Sequence, residues 1–388
     1  MHIFKSKILK FVSWLCILAS IFNTFPVYAL ETKAKSAIIV EGTTGRVLLN
    51  KYADEPMPPA SMSKLMTLYM LFSRLKSGAL SLEDKFRVST NAWRKGGIKS
   101  GSSTMFLKPR SRVTIEDLIR GIIVQSGNDA CIVVAESISG SEAAFALEMN
   151  EKARELKMLN SHFVNSTGWP HPEHRMSPRD LATLSQRLIE DFPEYYHYFN
   201  ELEFTYNGIK QRNRNPLLYK EMDADGLKTG HTNEAGYGLV ASVNRHNRRI
   251  ILVVNGLPSK KTRSEEPERL FEWAYREYSN YYLLKSGDQI GEAEVWLGQS
   301  PRVPLIVPRD VHLTLQRIER SKLDVRLVYD GPVPAPIRKG QNIAKLVIKT
   351  PSRGTEIIPL IAKYDIDRLN LIGRLMAALS IVLWGESN

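Results

Sequence analysis

Pro58-Pro59-Ala60-Ser61-Met62-Ser63-Lys64-Leu65-Met66-Thr67 stands where a proline-rich loop gives way to an apolar run. It sets a serine and a lysine three residues apart, and on a helix residues i and i+3 share a face. Lys64 can then take the proton of Ser61 as the hydroxyl attacks a carbonyl, the activation a weak serine nucleophile needs. Free N–H groups and the dipole at a helix start favour negative charge developing there. The plainer reading of Ser61 is an N-cap serine. A second copy of the spacing, Ser73-Arg74-Leu75-Lys76, reads as the exposed end of the same helix. Spacing alone does not choose between nucleophile and cap.

Two further triplets decide it. Ser126-Gly127-Asn128 lies inside an apolar stretch, Lys228-Thr229-Gly230 precedes a strand-like run, and neither recurs in the chain. Ser-x-x-Lys, Ser-x-Asn and Lys-Thr-Gly in that order mark penicillin-binding proteins and serine β-lactamases. With Ser126-Gly127-Asn128-Asp129-Ala130 and Lys228-Thr229-Gly230-His231-Thr232, the chain from about Ser36 onward closely resembles the low-molecular-mass penicillin-binding proteins, the D-alanyl-D-alanine carboxypeptidases of the S11 peptidase type.

Around these motifs the pattern predicts an α+β domain. Ser36 to Val40 and Arg46 to Asn50 read as a hairpin about Gly42-Thr43-Thr44-Gly45. The helix from Ser61 carries Leu65, Leu68, Tyr69, Phe72 and Leu75 at helical spacing, with Met66, Met70 and Leu71 filling the other sides, so it should cross the core. Trp93 to Pro109, rich in glycine and serine, reads as a loop at the rim of the site. Ile115 to Ser139 reads as helix broken at Gly127, where Ser126 and Asn128 would project into a cleft. Ser177-Pro178 opens another helix. Tyr195, Tyr196, Tyr198 and Phe199 read as packing rather than a sugar platform. Gly238 to Val243 and Arg249 to Asn255 form a second hairpin turning at residues 244–247, with Lys228-Thr229-Gly230 just before it, and Ser264 to Tyr278 a closing helix. Strands at both ends of a helical middle match the transpeptidase-like fold that the resemblance implies.

Residues 1–29 have the form of a secretory signal peptide: Lys5, Lys7 and Lys10, an apolar run from Phe11 to Phe22, then Val27-Tyr28-Ala29. Losing those lysines takes the formal charge from +12 to +9. The remaining Lys and Arg are scattered rather than gathered as for a nucleic acid. Cys131 is then the one cysteine left, which excludes an internal disulfide and reads as a small buried hydrophobe. His171 and His174 flank Pro172-Glu173 with no third ligand at a familiar spacing, so no metal and no cofactor is expected.

From about Leu284 short runs punctuated by Gly and Pro predict a small all-β domain, a pedestal or partner surface. The expected organisation is a leader at 1–29, a transpeptidase-like domain at 30–283, a β-rich domain at 284–365 and an amphipathic membrane-anchoring helix at 366–388. In that helix Leu369, Ile372, Leu375, Met376, Leu379 and Leu383 share a face, away from Arg368, Asn370 and Arg374. The expected location is the periplasmic face of a bacterial inner membrane, with the chain held peripherally by this helix.

The resemblance implies the rest of the chemistry, in peptidoglycan biosynthesis and cell shape. Ser61 would attack the D-Ala-D-Ala carbonyl of a stem pentapeptide, and Lys64 would be the base. Ser126, oriented by Asn128, would relay a proton to the leaving D-alanine, before water hydrolyses the acyl-enzyme. Lys228, Thr229, Gly230, His231 and Arg263 would bind the substrate, its terminal carboxylate above all, with backbone N–H groups of Ser61 and His231 as the oxyanion hole. β-Lactams would acylate the same serine. The alternatives are a β-lactamase of this fold and a non-catalytic wall-binding scaffold.

Overall fold

The computed structural model describes residues 30–351 and 354–376. The proposed leader and the tail beyond 376 lie outside the described residues.

The first half of the described chain is organised on an antiparallel sheet of five strands, ordered Val47–Lys51, Ser36–Glu41, Arg248–Leu257, Gly236–Arg245 and Ala224–Thr232. In the central strand every residue from Ile250 to Val254 is fully buried, so both faces must be covered. Ile38, Val240, Ile251 and Val253 share a core with Leu181, Leu184 and Leu188 of the helix Pro178–Asp191. Leu270, Phe271 and Ala274 of the helix Lys260–Glu277 are buried against the other face. The helix Lys64–Lys76 is buried at every position from Lys64 to Phe72, as its apolar sequence requires, and runs through the core.

The chain departs from the sequence reading in four places. Lys228-Thr229-Gly230 precedes the strand Gly236–Arg245 as expected, but itself forms the middle of another, Ala224–Thr232, which closes the sheet. Leu227 is its one large buried aliphatic side chain, so the polar sequence conceals a strand that pairing with Gly236–Arg245 creates. Trp93 is helical: Ser89 caps the helix Thr90–Gly96 by accepting from the Ala92 N–H, and the loop starts after it. The closing helix starts at Lys260, capped by Ser259, with Pro267 tolerated inside it. Residues 366–369 are not helical. Ile366 is buried and bridges to Ile337, Arg368 bridges to Gly298, and the terminal helix begins only at residue 371.

The β-rich half begins as the helix ends, with Tyr278–Leu284 pairing with Val311–Gln316. A six-stranded sheet follows, around Ala293, Val303, Leu305, Ile348 and Leu360. Polar contacts join the two halves: Glu41 accepts from the Asn280 amide at 2.5 Å, the Thr44 and Thr314 hydroxyls lie 2.6 Å apart, and Arg46 donates to the Thr314 carbonyl.

Candidate active site

Ser61 lies in a single 3-10 turn, Ala60–Ser63, ahead of the α-helix that starts at Lys64. Its side chain makes no capping bond, so the N-cap reading fails. Lys64 Nζ donates to Ser61 Oγ at 2.8 Å and to the Thr167 carbonyl at 2.6 Å. Ala60, just before the serine, has φ of 49°, a strained value for a residue with a Cβ. Two glycines fix this turn. A Cβ on Gly168 (φ 75°) would stand 1.9 Å from the Ala60 oxygen, and one on Gly230 would stand 2.8 Å from the Pro59 oxygen. Only glycine lets the loop and the edge strand close on the turn from two sides.

The helix Ile115–Ile123 ends in the break the sequence predicts. Ser126 adopts φ of 58°, Gly127 is the N-cap, and the helix Asn128–Ser139 follows. Ser126 Oγ accepts from Lys228 Nζ at 2.9 Å. Asn128 is buried, and its Oδ1 has no partner among the described residues. The buried carboxylate of Asp129 accepts from the Met105 and Leu107 N–H groups and the Thr104 hydroxyl, at 2.7 to 3.1 Å, which ties the rim loop to this turn. Burial raises the Asp129 pKa, and these bonds oppose the rise.

On the edge strand Lys228, Thr229 and Gly230 are buried while the His231 ring is exposed, lying 3.9 Å from the Tyr237 ring. Arg263 is in the first turn of the closing helix, its Nη1 3.4 Å from the Gly230 carbonyl. Its Nε is buried with no partner among the described residues. Of the residues singled out in the sequence, Ser61, Asn128 and His231 line one cleft of about 280 Å³ between the turn, the rim loop and the edge strand. Lys64 is bonded to Ser61, Lys228 to Ser126, and Arg263 to the Gly230 carbonyl, while Thr229 lies between Lys228 and Gly230 on the edge strand.

Burial shifts both lysines toward the neutral form. Lys64 is fully buried, and burial alone is the largest influence taking its pKa down to about 8. Lys228 is held well below the ordinary lysine value by burial and then by the Lys64 charge. Neither has an ion pair among the described residues. With its pKa brought down to about 8, part of Lys64 is neutral near neutral pH, and that neutral amine beside the serine hydroxyl is a base in position.

The loop after residue 164 carries what the sequence reading missed. Asn165 Oδ1 accepts from the N–H groups of Thr167, Gly168 and Trp169, curling the loop so that the Thr167 carbonyl meets Lys64 and Trp169 lines the cleft. Ser102 and Ser103 line it from the rim loop, and Arg214 donates to the Ser103 hydroxyl. A carbonyl partner leaves no mark on a side-chain pattern; the exposed Trp169 beside Gly168 was the readable signal. His174 is structural: Nδ1 accepts from the Val164 N–H, Nε2 lies 2.7 Å from the Ser63 hydroxyl, and burial takes its pKa down to about 3. Cys131 is buried as read, its thiol pushed up to about 12 by burial. Tyr196, Tyr198 and Phe199 are packed into the core, and Tyr195 stacks on Phe72.

The family described as D-alanyl-D-alanine carboxypeptidase matches residues 23–259. The chain belongs to that family. A second family, described as the penicillin-binding protein 5 C-terminal domain, matches residues 278–368. The D-alanyl-D-alanine carboxypeptidase DacA of Escherichia coli (strain K12) is 37% identical over 349 residues, 89% of this chain and 87% of its own. The crystal structure of penicillin binding protein 5 from Haemophilus influenzae matches with a TM-score of 0.78 at 34% identity, covering 87% of this chain and 99% of that one. Penicillin-binding protein D2 from Listeria monocytogenes, solved in its ampicillin-bound form, matches with a TM-score of 0.55 at 29% identity, over 63% of this carboxypeptidase-family chain and 97% of its own.

Proposed function

We propose that this chain is a serine-type D-alanyl-D-alanine carboxypeptidase that removes the terminal D-alanine of peptidoglycan stem pentapeptides through an acyl-enzyme on Ser61. The observation that carries it is the buried Lys64 amine 2.8 Å from the half-exposed Ser61 hydroxyl, with family membership behind it.

Ser61 Oγ bonds to the carbonyl carbon as Lys64 takes its proton. The oxyanion meets the N–H groups of Ser61 and His231, which the contact of Gly230 with Pro59 and Ala60 keeps close together. Such a donor is commonly worth about 3 kcal/mol in the barrier. Collapse breaks the peptide C–N bond, and the leaving amine takes the proton that Lys64 removed from Ser61, relayed by the Ser126 hydroxyl that Lys228 holds at 2.9 Å, which leaves Lys64 neutral again. Water, deprotonated by the same base, then cleaves the ester and returns the proton to Ser61. Thr229 offers a hydroxyl to the substrate carboxylate. Arg263 offers a permanent charge and an N–H without a partner among the described residues, which suits the carboxylate better than a Lys228 whose charge burial disfavours.

Penicillin presents an acylated D-Ala-D-Ala likeness and would form the same ester. Incubation with labelled penicillin should leave a covalent adduct that peptide mapping places on Ser61, and D-alanine should be released from a D-Ala-D-Ala peptide. A label on Ser73 refutes the nucleophile. Rapid turnover of penicillin without D-alanine release refutes the carboxypeptidase in favour of a β-lactamase, and neither adduct nor release leaves a scaffold.

For location, the proposed leader exports the chain, and the terminal helix lies in the outer leaflet boundary of the inner membrane. Leu371, Ile372, Leu375 and Met376 are all more than 65% exposed, an unpartnered apolar surface that supports an interfacial helix.

A further inference from the structure

A cavity of about 680 Å³ lies away from the cleft, at the opposite end of the five-stranded sheet. Its floor is the two-residue turn His246-Asn247, both residues at positive φ, flanked by the cross-strand pair Arg245 and Arg248. From Tyr237, beside the cleft, to Arg245 the strand runs about 26 Å at ~3.3 Å per residue. The end of the helix Lys260–Glu277 forms one wall, and the start of the β-rich half, with Arg317, forms the other.

The charges there do not balance. Arg245 is paired with Glu272 at 2.8 Å and Arg276 with Glu277 at 2.9 Å. Arg248 and Arg317 have no ion pair among the described residues. Arg248 donates one N–H, from Nη1 to the Tyr278 carbonyl at 2.7 Å, while its Nε and Nη2 are buried without a partner among the described residues. Glu41 offsets part of that charge, but its carboxylate is already taken by Thr44 and Asn280. Burial lowers the Arg248 pKa, and Arg317 acts in the same direction. Unmet charged donors beside a second guanidinium are costly until an anion arrives.

We propose that this cavity is a binding site for a phosphorylated sugar or polyol. The paired guanidiniums match phosphate, which arginine binds by two parallel hydrogen bonds. Thr43, Asn247 and Ser279 add hydroxyl and amide groups that suit a hydroxyl-rich remainder. The volume lies within the ordinary range for small-ligand sites. A free metabolite and a lipid headgroup both present this chemistry.

The test is calorimetric titration of the full mature chain with glycerol 3-phosphate, and with glycerol as the uncharged control, at physiological ionic strength so that loose pairing is screened. Saturable binding of the phosphate alone is expected, weakened about tenfold or more by Arg317→Ala, a change of ~1.4 kcal/mol. Arg317 is exposed, so this variant keeps the fold, and its D-alanine release should be unchanged. A parallel arm measures sedimentation with phosphatidylglycerol vesicles. If glycerol 3-phosphate does not bind but Arg317→Ala weakens vesicle binding, the phosphate is a headgroup and the site stands. If neither binding depends on Arg317, the proposal is overturned, whatever the outcome at Ser61.

Discussion

The helix Lys64–Lys76 and the turn before it carry a serine and a lysine three residues apart twice, with opposite results. At one end Lys64 is fully buried and bonds Ser61, whose oxygen faces the cleft. At the other, Ser73 donates back to the Tyr69 carbonyl at 2.8 Å, and Lys76 is exposed and donates to the Asp191 carbonyl. Ser73 sits in the regular helix, so its hydroxyl finds a carbonyl one turn back. Ser61 sits in the 3-10 turn, outside that ladder, and has no such outlet. A lysine in water stays charged, whereas one enclosed by core side chains is pushed toward neutrality. The motif becomes chemistry through its surroundings, not through its spacing.

The sharpest way to break this contrast is to delete each hydroxyl. Ser61→Ala should abolish penicillin labelling and cut D-alanine release by about 10⁶-fold, the scale of a lost nucleophile. Ser73→Ala should leave both unchanged; equal losses would show that position on the helix does not matter. Exchanging the amines comes next. Lys64→Ala should slow acylation about 10²- to 10⁴-fold, as expected for a lost general base, with the far-ultraviolet spectrum intact. Lys76→Ala should alter unfolding free energy by no more than ~0.5 kcal/mol and acylation not at all.

Protonation sharpens the same point. Acylation by the wild type should rise with pH through about 8, as Lys64 loses its proton. Between there and the unfolded lysine value near 10.4 the unfolded chain binds a proton that the folded chain does not, so stability should increase with pH. That contribution disappears as pH falls through about 8. Denaturant titrations of Lys64→Met should show a shallower rise, by on the order of 3 kcal/mol over the whole window; an unchanged slope would mean Lys64 is charged in the fold.

Thr229→Val asks whether the buried pair is addressed by a carboxylate. It should cost about 1–3 kcal/mol in kcat/KM for a substrate with a free terminal carboxylate and less for its amide. An equal loss on both would leave Thr229 a packing residue. Smallest is an effect outside the site: Leu375→Glu should lower sedimentation with anionic vesicles by a few-fold and leave catalysis alone. Unaltered sedimentation would make exposure at the tail as uninformative as exposure at Lys76.

Much of this was legible because it was encoded in side chains at short range. The broken helix at Ser126-Gly127-Asn128, the Ser177 cap and the two hairpins about the core sheet follow from local rules that the fold does not override. The strand Ala224–Thr232 was not legible, because its residues serve the cleft and its conformation comes from a neighbour across the sheet. The Thr167 carbonyl and the Asp129 clamp were hidden for a related reason. One is backbone, and the other makes its bonds to N–H groups about 22 to 24 residues earlier. At the tail, periodicity extended the helix back to Ile366, but that side chain fills the β-rich core instead.

The glycines on either side of the Ser61 turn have an evolutionary consequence. What a methyl group at Gly168 or Gly230 would strike is main chain, the Ala60 and Pro59 oxygens, and no side-chain change nearby can clear a path for it. Lineages exposed to β-lactams are therefore denied the simplest escape, a gradual reshaping of the nucleophile's own seat. Tolerated variation should collect instead in the rim around Gly101 to Ser103 and at Trp169, where substitutions can change which acyl groups enter while the serine keeps its place.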